Sequence, residues 1–335
     1  MMKVKTYGII YYIIFYTLLL AFSAYVLLDT FVIPHTISRV QTETDNYSAD
    51  NGKIDDIGSN DDSFSTDNDN ISNIDNTDNA GSREHVTEEA VYTDSSYRDE
   101  NISINITTEV IDDTTVYIAD VVLVDAQFLK TAFAKDTFGT NVTETTSAQA
   151  DAKGAILAVN GDFYGADKKG YVIKNGIVYR ESVREDSQYD DLVIYEDGSF
   201  GIINEKDVTA EELSEDGVVQ LFAFGPVLVE NGEIVVDENA EVGKAMASNP
   251  RTAIGIVDGL HYILVVADGR SSESEGLSLY ELAEVMQGLG CETAYNLDGG
   301  GSSTMYFNGQ VINKPTTSGH SFKEREVSDI VYIGY

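Results

Sequence analysis

The sequence predicts an α+β fold: a strand-rich domain of mixed or antiparallel sheet with few covering helices, preceded by one transmembrane helix and a disordered stalk. Three observations carry this expectation. Apolar runs of strand length recur from residue 102 onward, many separated by Asn-Gly or Asp-Gly pairs, which tolerate the positive φ angles of tight hairpins. One long segment, 278–289, repeats with a helical period. Ahead of residue 101 the chain is first apolar and uncharged, then acidic and without period.

Residues 1–35 read as a cytoplasmic tip and a signal-anchor. Positions 7–28 hold no charged side chain over 22 residues; at ~1.5 Å per residue such a helix spans about 33 Å, against a hydrocarbon core of about 30 Å. Lys3 and Lys5 precede the run and Asp29 follows it, so the positive-inside rule puts the N-terminus in the cytoplasm. The expectation is a single-pass cell-membrane protein with an extracellular C-terminal domain. A cleaved signal peptide ending near Ala21 and Ser23 is the alternative, although the apolar stretch runs on to Ile33. Residues 36–100 are expected to form an acidic, disordered stalk, because Asp, Asn, Ser and Thr dominate 45–78 and too little apolar surface exists to offset chain entropy. A flexible chain of about 65 residues reaches about 45 Å.

The domain is expected over 101–335. Strands are predicted at 102–106, 116–124, 155–159, 171–173, 192–195 and 218–224, with clear hairpins pairing 253–257 with 262–267 and 304–307 with 310–313. The helix at 278–289 opens on a capping box, Ser278 with Glu281, and places Leu279, Leu282, Ala283, Met286 and Leu289 on one face. Lying between two strands, it is expected to cross over between neighbouring strands and cover the sheet. Shorter helices are expected at 210–213 and 145–152.

The formal net charge of −36 and the absence of a basic patch exclude a nucleic-acid partner, and no protein partner is identifiable. Cys291 is the lone cysteine, so no disulfide forms within the chain and the core must hold the domain without staples. Only His261 and His320 fall in the domain, which excludes a histidine-rich zinc site. His261 follows a hairpin turn and reads as structural, whereas His320 lies in a polar loop that could line a cleft.

Polar residues interrupt apolar strands at 158–164, 248–253, 266–270 and 296–305. Three of these segments share one design, in which a strand ends, an acid appears and a glycine stands beside it: Asp162, Asp268 and Asp298. Gly299, Gly300 and Gly301 suit a close backbone approach, and Ser302, Ser303 and Thr304 add hydroxyls beside a possible anion-binding nest; a plain glycine-rich turn is the alternative. The pattern is neither a nucleophile elbow nor a Walker loop. Arg251, at a strand start, suits a clamp on phosphate or carboxylate, or else a structural ion pair. Asp268 and Asp298 suit paired carboxylate work, or else turn positions, and Arg270 could pair with either. No cofactor is required, and a hard cation such as calcium on Asp162, Asp268 or Asp298 stays open.

Together the segments 160–164 (NGDFY), 249–256 (NPRTAIGI), 268–305 with its DGGGSSTM close, and 324–335 (EREVSDIVYIGY) resemble the phosphodiester glycosidase family. The resemblance covers roughly residue 102 to the C-terminus and departs at Glu326, where the family pattern often reads Arg-Pro-Val. It implies hydrolysis of a sugar-1-phosphodiester, of the GlcNAc-1-phosphate type, at the anomeric carbon. Arg251, the Gly300–Ser303 backbone and the Ser302 and Ser303 hydroxyls would hold the phosphate, with Arg325 as a second contact. Asp298 first, or Asp268, would stabilise the sugar cation or activate water, and Asn160 and Asp162 would hold sugar hydroxyls or complete the carboxylate set. The expected anchor narrows the substrate to a surface or envelope glycan or glycopolymer. Two other readings stand beside the enzyme: a non-catalytic binding or assembly protein for phosphate-containing exopolysaccharide, and a serine-dependent deacylase using Ser302 or Ser303.

Overall fold

Strand pairing in the computed structural model, which describes residues 2–36, 90–166, 168–185, 189–240 and 248–335, is antiparallel throughout. A nine-stranded sheet runs, in spatial order, Glu233–Ile234, Val227–Glu230, Thr293–Asn296, Arg251–Asp258, His261–Ala267, Thr114–Leu123, Ile102–Ile111, Ser96–Arg98 and Val91–Tyr92. One five-stranded sheet orders Gln310–Val311, Met305–Phe307, Leu157–Asn160, Asp329–Ile333 and Leu129–Phe133. A second orders Ile177–Arg180, Val172–Lys174, Val218–Phe222, Asp191–Tyr195 and Phe200–Ile203.

Side-chain alternation explains the layering. On His261–Ala267, Tyr262, Leu264 and Val266 enter the main core, while Ile263, Val265 and Ala267 enter a second core on the opposite face. The strand is buried on both sides, hence its continuous apolar run. Leu157, Val159, Val331 and Ile333 of the first five-stranded sheet and Leu192, Ile194 and Phe222 of the second share the main core. Helices seal the outer faces: Leu279–Gly288 over the nine-stranded sheet, Thr146–Lys153 over the first five-stranded sheet and Ala210–Glu215 over the second. The two predicted hairpins are present.

The Ser278 capping box forms with both reciprocal bonds, 3.1 Å from the Glu281 amide to Ser278 Oγ and 2.7 Å from the Ser278 amide to Glu281 Oε2. The helix it starts is a crossover, but the strands it joins are not neighbours. His261–Ala267 and Thr293–Asn296 each pair antiparallel with Arg251–Asp258 between them, so they run parallel to each other and only a crossover can link them.

The expected membrane anchor does not stand, and with it falls the placement of the chain as a single-pass membrane protein with an extracellular domain. A helix does form over Met2–Phe31, yet among the described residues no helix is long and apolar enough to cross a membrane. Beyond the helix the chain turns onto the domain: His35–Thr36 pairs with Gly139–Thr140, and Asn141 Nδ2 donates to the Ile33 carbonyl at 3.2 Å. The expected stalk lies, over 37–89, outside the described residues, whereas residues 91–92 and 96–98, expected within it, form the last two strands at one end of the nine-stranded sheet.

Ser278→Ala removes the side-chain acceptor of the crossover helix and is expected to cost about 1 kcal/mol of stability, read from urea unfolding. An unchanged midpoint would show that packing alone sets that helix start.

Candidate active site

Strand ends converge at one end of the layered sheets. Arg251 begins its strand opposite Ala267, where the neighbouring strand ends just before Asp268, and Asn296 ends the strand on the other side. From the facing sheet Leu157–Asn160 ends at the same place, and Asn160 Nδ2 donates to the Asp298 carbonyl at 2.6 Å. The Asn160 Oδ1 accepts from Thr252 Oγ1 at 2.8 Å and from the Thr304 amide at 3.3 Å. Asn160 is wholly buried and joins both sheets to the glycine-rich loop rather than facing a cleft.

Between these ends lies a cleft of about 180 Å³ lined by Phe224, Asn249, Arg251, Arg270, Asp298, Arg325 and the first two glycines of the loop. Asp298 Oδ2 accepts from Ser302 Oγ at 2.6 Å and from Arg325 Nη2 at 3.0 Å. Arg325 Nε also donates to Ser302 Oγ at 2.9 Å. Burial pushes the Asp298 carboxyl above its ordinary value, while the Arg325 charge and the Ser302 bond pull it back. Arg270 grips Asn249 Oδ1 through Nε at 3.0 Å and Nη2 at 2.8 Å, and its Nη1 reaches the Thr317 carbonyl at 2.8 Å. Burial, then the positive charge of Arg325, lowers the Arg270 pKa. Arg251 is buried and donates from Nε to the Leu277 carbonyl at 2.8 Å.

The glycines serve contact. A Cβ on Gly299 would stand 2.9 Å from the Pro250 carbonyl oxygen, and Gly300, at φ +61, would press on Arg270. A Cβ on Gly301 would overlap Thr317. The amides of Gly300, Ser302, Ser303 and Thr304 are spent on Pro250, Gly299, Gly300 and Asn160. Ser302, Ser303 and Thr304 are buried and do not line the cleft. Among the described lining residues the cationic groups are the guanidinium groups of Arg251, Arg270 and Arg325.

Other expected residues lie elsewhere. Asp268 is buried, accepts from the Lys314 amide at 2.9 Å and Asn313 Nδ2 at 3.1 Å, and ties down the loop after Val311; burial raises its pKa. His320 is exposed in that loop, and His261 Nε2 meets Asp120 Oδ1 at 3.1 Å near the hairpin turn. Asp162 belongs to a buried ionic cluster: Lys174 Nζ stands 3.6 Å from Asp162 Oδ2, 3.0 Å from Asp329 Oδ2 and 4.0 Å from the centre of the Phe222 ring. Asp162 Oδ2 also accepts from the Ala223 amide at 3.0 Å, fixing the segment that carries Phe224. Among the described residues no group of three or more His, Cys, Asp or Glu is placed to hold a metal ion.

Sequence reasoning passed over Phe224, Asn249, Lys174 and Asp329. Asn249 and Asp329 carried a signal, since each is a polar residue at the border of an apolar strand. Phe224 and Lys174 carried none, because an aromatic before Gly-Pro and a lysine before Asn-Gly read as ordinary turn flanks.

The sequence matches the phosphodiester glycosidase (NAGPA) family over residues 153–334, more than half of the chain. The chain belongs to the phosphodiester glycosidase family. It is 29% identical over 201 residues to a Bacillus subtilis SPbeta prophage-derived uncharacterized protein, YomE, covering 59% of this chain and 31% of that protein. It is 33% identical over 140 residues to the mouse N-acetylglucosamine-1-phosphodiester alpha-N-acetylglucosaminidase, covering 36% of this chain and 27% of the relative. The chain thus spans roughly a third of the length of the curated relatives it matches. The catalytic domain of the zebrafish N-acetylglucosamine-1-phosphodiester alpha-N-acetylglucosaminidase, auto-inhibited by its pro-peptide, superposes with a TM-score of 0.55 at 23% identity over 70% of this chain and 83% of that one. At that identity the match shows a shared fold.

Within this glycosidase fold the cluster behind the cleft has a pH signature. Burial pushes the Asp329 carboxyl up to about 6 from an ordinary 3.8, with Lys174 opposing and Asp162 assisting. The folded chain therefore holds a proton there that the unfolded chain has released; this stability is full below about 3.8 and is lost as pH rises through about 6. Urea midpoints of wild type are expected to fall relative to Asp329→Asn across that window, and parallel pH curves would refute the assignment. Lys174→Met, which strips the cluster of its cation, is expected to cost ~3–5 kcal/mol, read from the same titrations.

Proposed function

We propose that the chain hydrolyses a sugar-1-phosphodiester of the N-acetylglucosamine-1-phosphate type, releasing free sugar and a phosphomonoester. The observation that carries the reading is the meeting of three arginines, Arg251, Arg270 and Arg325, around Asp298, the one carboxylate among the described lining residues of the cleft, in a chain of formal net charge −36. Such a lining selects a phosphate against the field of the rest of the molecule. Family membership and the names of the mouse and human relatives support the choice of sugar.

The chemistry suits these groups. As the bond between the anomeric carbon and the phosphate oxygen breaks, its electron pair passes to the phosphate, where guanidinium groups stabilise the added charge. Phosphate leaves without a strong general acid. Water forms the new bond to the anomeric carbon and gives up a proton. Asp298, oriented by Ser302 and Arg325, stabilises the positive charge growing on the ring or receives that proton. Asp268, tied to Asn313 and the Lys314 amide, acts instead by holding the loop beside the cleft.

A cleft of about 180 Å³ is smaller than the ~300–1,000 Å³ of pockets that enclose whole small molecules. It suits a phosphate-linked group at the end or along the side of a glycan or glycopolymer whose remainder stays outside. The deacylase reading loses support, because the Ser302 hydroxyl donates to Asp298 and accepts from Arg325.

The full chain is expected to hydrolyse a GlcNAc-1-phosphodiester, with Asp298→Asn lowering kcat/KM about 10²–10⁴-fold and Arg251→Ala about 10²–10³-fold. Variants as fast as wild type would remove both residues from the mechanism, and tight glycopolymer binding without turnover would make the protein a binder. Catalysis uses ionised Asp298, whose pKa burial raises and Arg325 lowers. The acid limb of the rate profile is therefore expected above the usual ~3.9 of aspartate, and to move further up in Arg325→Gln. A limb that does not move would dissociate the two groups.

A further inference from the structure

One apolar side chain stands among the described lining residues of the cleft. Phe224 is half-buried there, whereas the other lining side chains carry charge or an amide and the loop glycines have none. The backbone around Phe224 is held at every step. The Ala223 amide donates to Asp162 Oδ2 at 3.0 Å, and the Ala223 carbonyl accepts from Arg184 Nη1. Each partner belongs to its own buried ionic group, Asp162 with Lys174 and Arg184 with Asp191 and Glu205. The Phe224 backbone hydrogen-bonds the Tyr295 side chain, whose hydroxyl donates to the Asp190 carbonyl at 3.1 Å. Beyond it, Asn296 Nδ2 donates to the Gly225 carbonyl at 2.7 Å and the Asn296 amide to the Pro226 carbonyl at 3.1 Å. Gly225 has φ +77, and a Cβ there would stand 2.7 Å from Tyr189 Cβ, so the turn admits no side chain.

Packing does not account for this fixing. Phe222 enters the main core and Ala223 packs on the core of the second five-stranded sheet, but Phe224 joins none of the hydrophobic clusters among the described residues. A ring held in place before a ligand arrives lowers the ordering cost of binding. Its flat face carries negative π density, and a pyranose offers a matching face of polarised C–H bonds with its hydroxyls around the rim. Resting on the reading of the cleft as a phosphodiester glycosidase site, we propose that Phe224 is the platform for the sugar. Its ring takes the C–H face of the pyranose while the arginines take the phosphate. Guanidinium groups alone would accept a phosphate on any alcohol, so Phe224 supplies the selection for a phosphate that bears a sugar ring. It is a specificity residue, acting on the ring and leaving the bond to be broken to its neighbours.

Calorimetric titration of the full chain reads the effect without turnover when carbon replaces the bridging oxygen of the ligand. The 1-C-phosphonate of GlcNAc is expected to bind wild type at least about tenfold more tightly than methylphosphonate. Phe224→Leu, which keeps apolar volume and removes the flat ring, is expected to shrink that ratio about fivefold or more and to leave methylphosphonate affinity unchanged. The chain has no tryptophan, so Phe224→Trp puts a single fluorophore at the platform. Its emission is expected to shift with the sugar phosphonate and not with methylphosphonate. Equal wild-type affinity for the two ligands, a ratio that Phe224→Leu does not move, an equal loss of both ligands, or tryptophan emission blind to the sugar would each overturn the inference. The wild-type ratio and the tryptophan emission decide if Phe224→Leu does not fold. Hydrolysis of a GlcNAc-1-phosphodiester with a ratio indifferent to Phe224 would leave the proposed activity standing and remove the platform. A ratio that depends on Phe224 without hydrolysis would do the reverse.

Discussion

One buried amide holds the site together. Asn160 ends a strand of the first five-stranded sheet, yet its side chain is spent on the Asp298 carbonyl, on Thr252 of the nine-stranded sheet and on the Thr304 amide beyond the glycine run. Hydrophobic packing between sheets is non-directional and tolerates sliding. A fully buried amide with two donors and an acceptor does not, because any shift leaves polar atoms unpaired at a cost of about 1–3 kcal/mol each. The register of the two sheets at this end, and hence the distance from Asp298 to Arg251, follows from those three bonds.

Behind and in front of that amide the protein keeps two separate electrostatic systems. The rear one, Lys174 with Asp162 and Asp329, is closed to solvent. It acts on geometry: Asp162 fixes the Ala223 amide next to Phe224, and the Asp329 carbonyl accepts from the Gly161 amide, whose own carbonyl accepts from Asp298. The front one is cationic and opens on the cleft. A molecule with so acidic a composition concentrates positive potential only by burying arginines next to backbone carbonyls and amide oxygens, which is how Arg251 meets Leu277 and Arg270 meets Asn249 and Thr317.

How far the sequence discloses this depends on the kind of signal. Period and turn chemistry disclosed the hairpins and the capped helix, because burial on both faces of 253–257 and 262–267 leaves an unbroken apolar run and because Ser278 and Glu281 bond locally. The sites where acid and glycine end a strand disclosed Asp298 and its loop. Partnership was not disclosed. Asp162, Asp268 and Asp298 look alike as acids beside glycine, but one pairs with a buried lysine, one holds a loop and one faces the cleft, a division set by tertiary contacts rather than by local sequence. Membrane crossing was misread from an apolar composition at the N-terminus, where the described residues hold no helix of sufficient apolar length.

The glycine run shows why that division matters for chemistry. Three consecutive glycines suggest backbone amides turned outward to cradle an anion, yet here the Gly300 amide bonds the Pro250 carbonyl and the Ser302, Ser303 and Thr304 amides are consumed within the site. Close approach is then the purpose of the glycines, since it brings Asp298 and Arg325 within reach of Arg251 and Arg270. A backbone nest would offer fixed partial charges and suit any anion equally. Guanidinium groups offer whole charges in a planar fork matched to phosphate oxygens. Arginine rather than amide is therefore the cationic element of this cleft, and among its described lining residues the one carboxylate, Asp298, is itself held by Ser302 and Arg325.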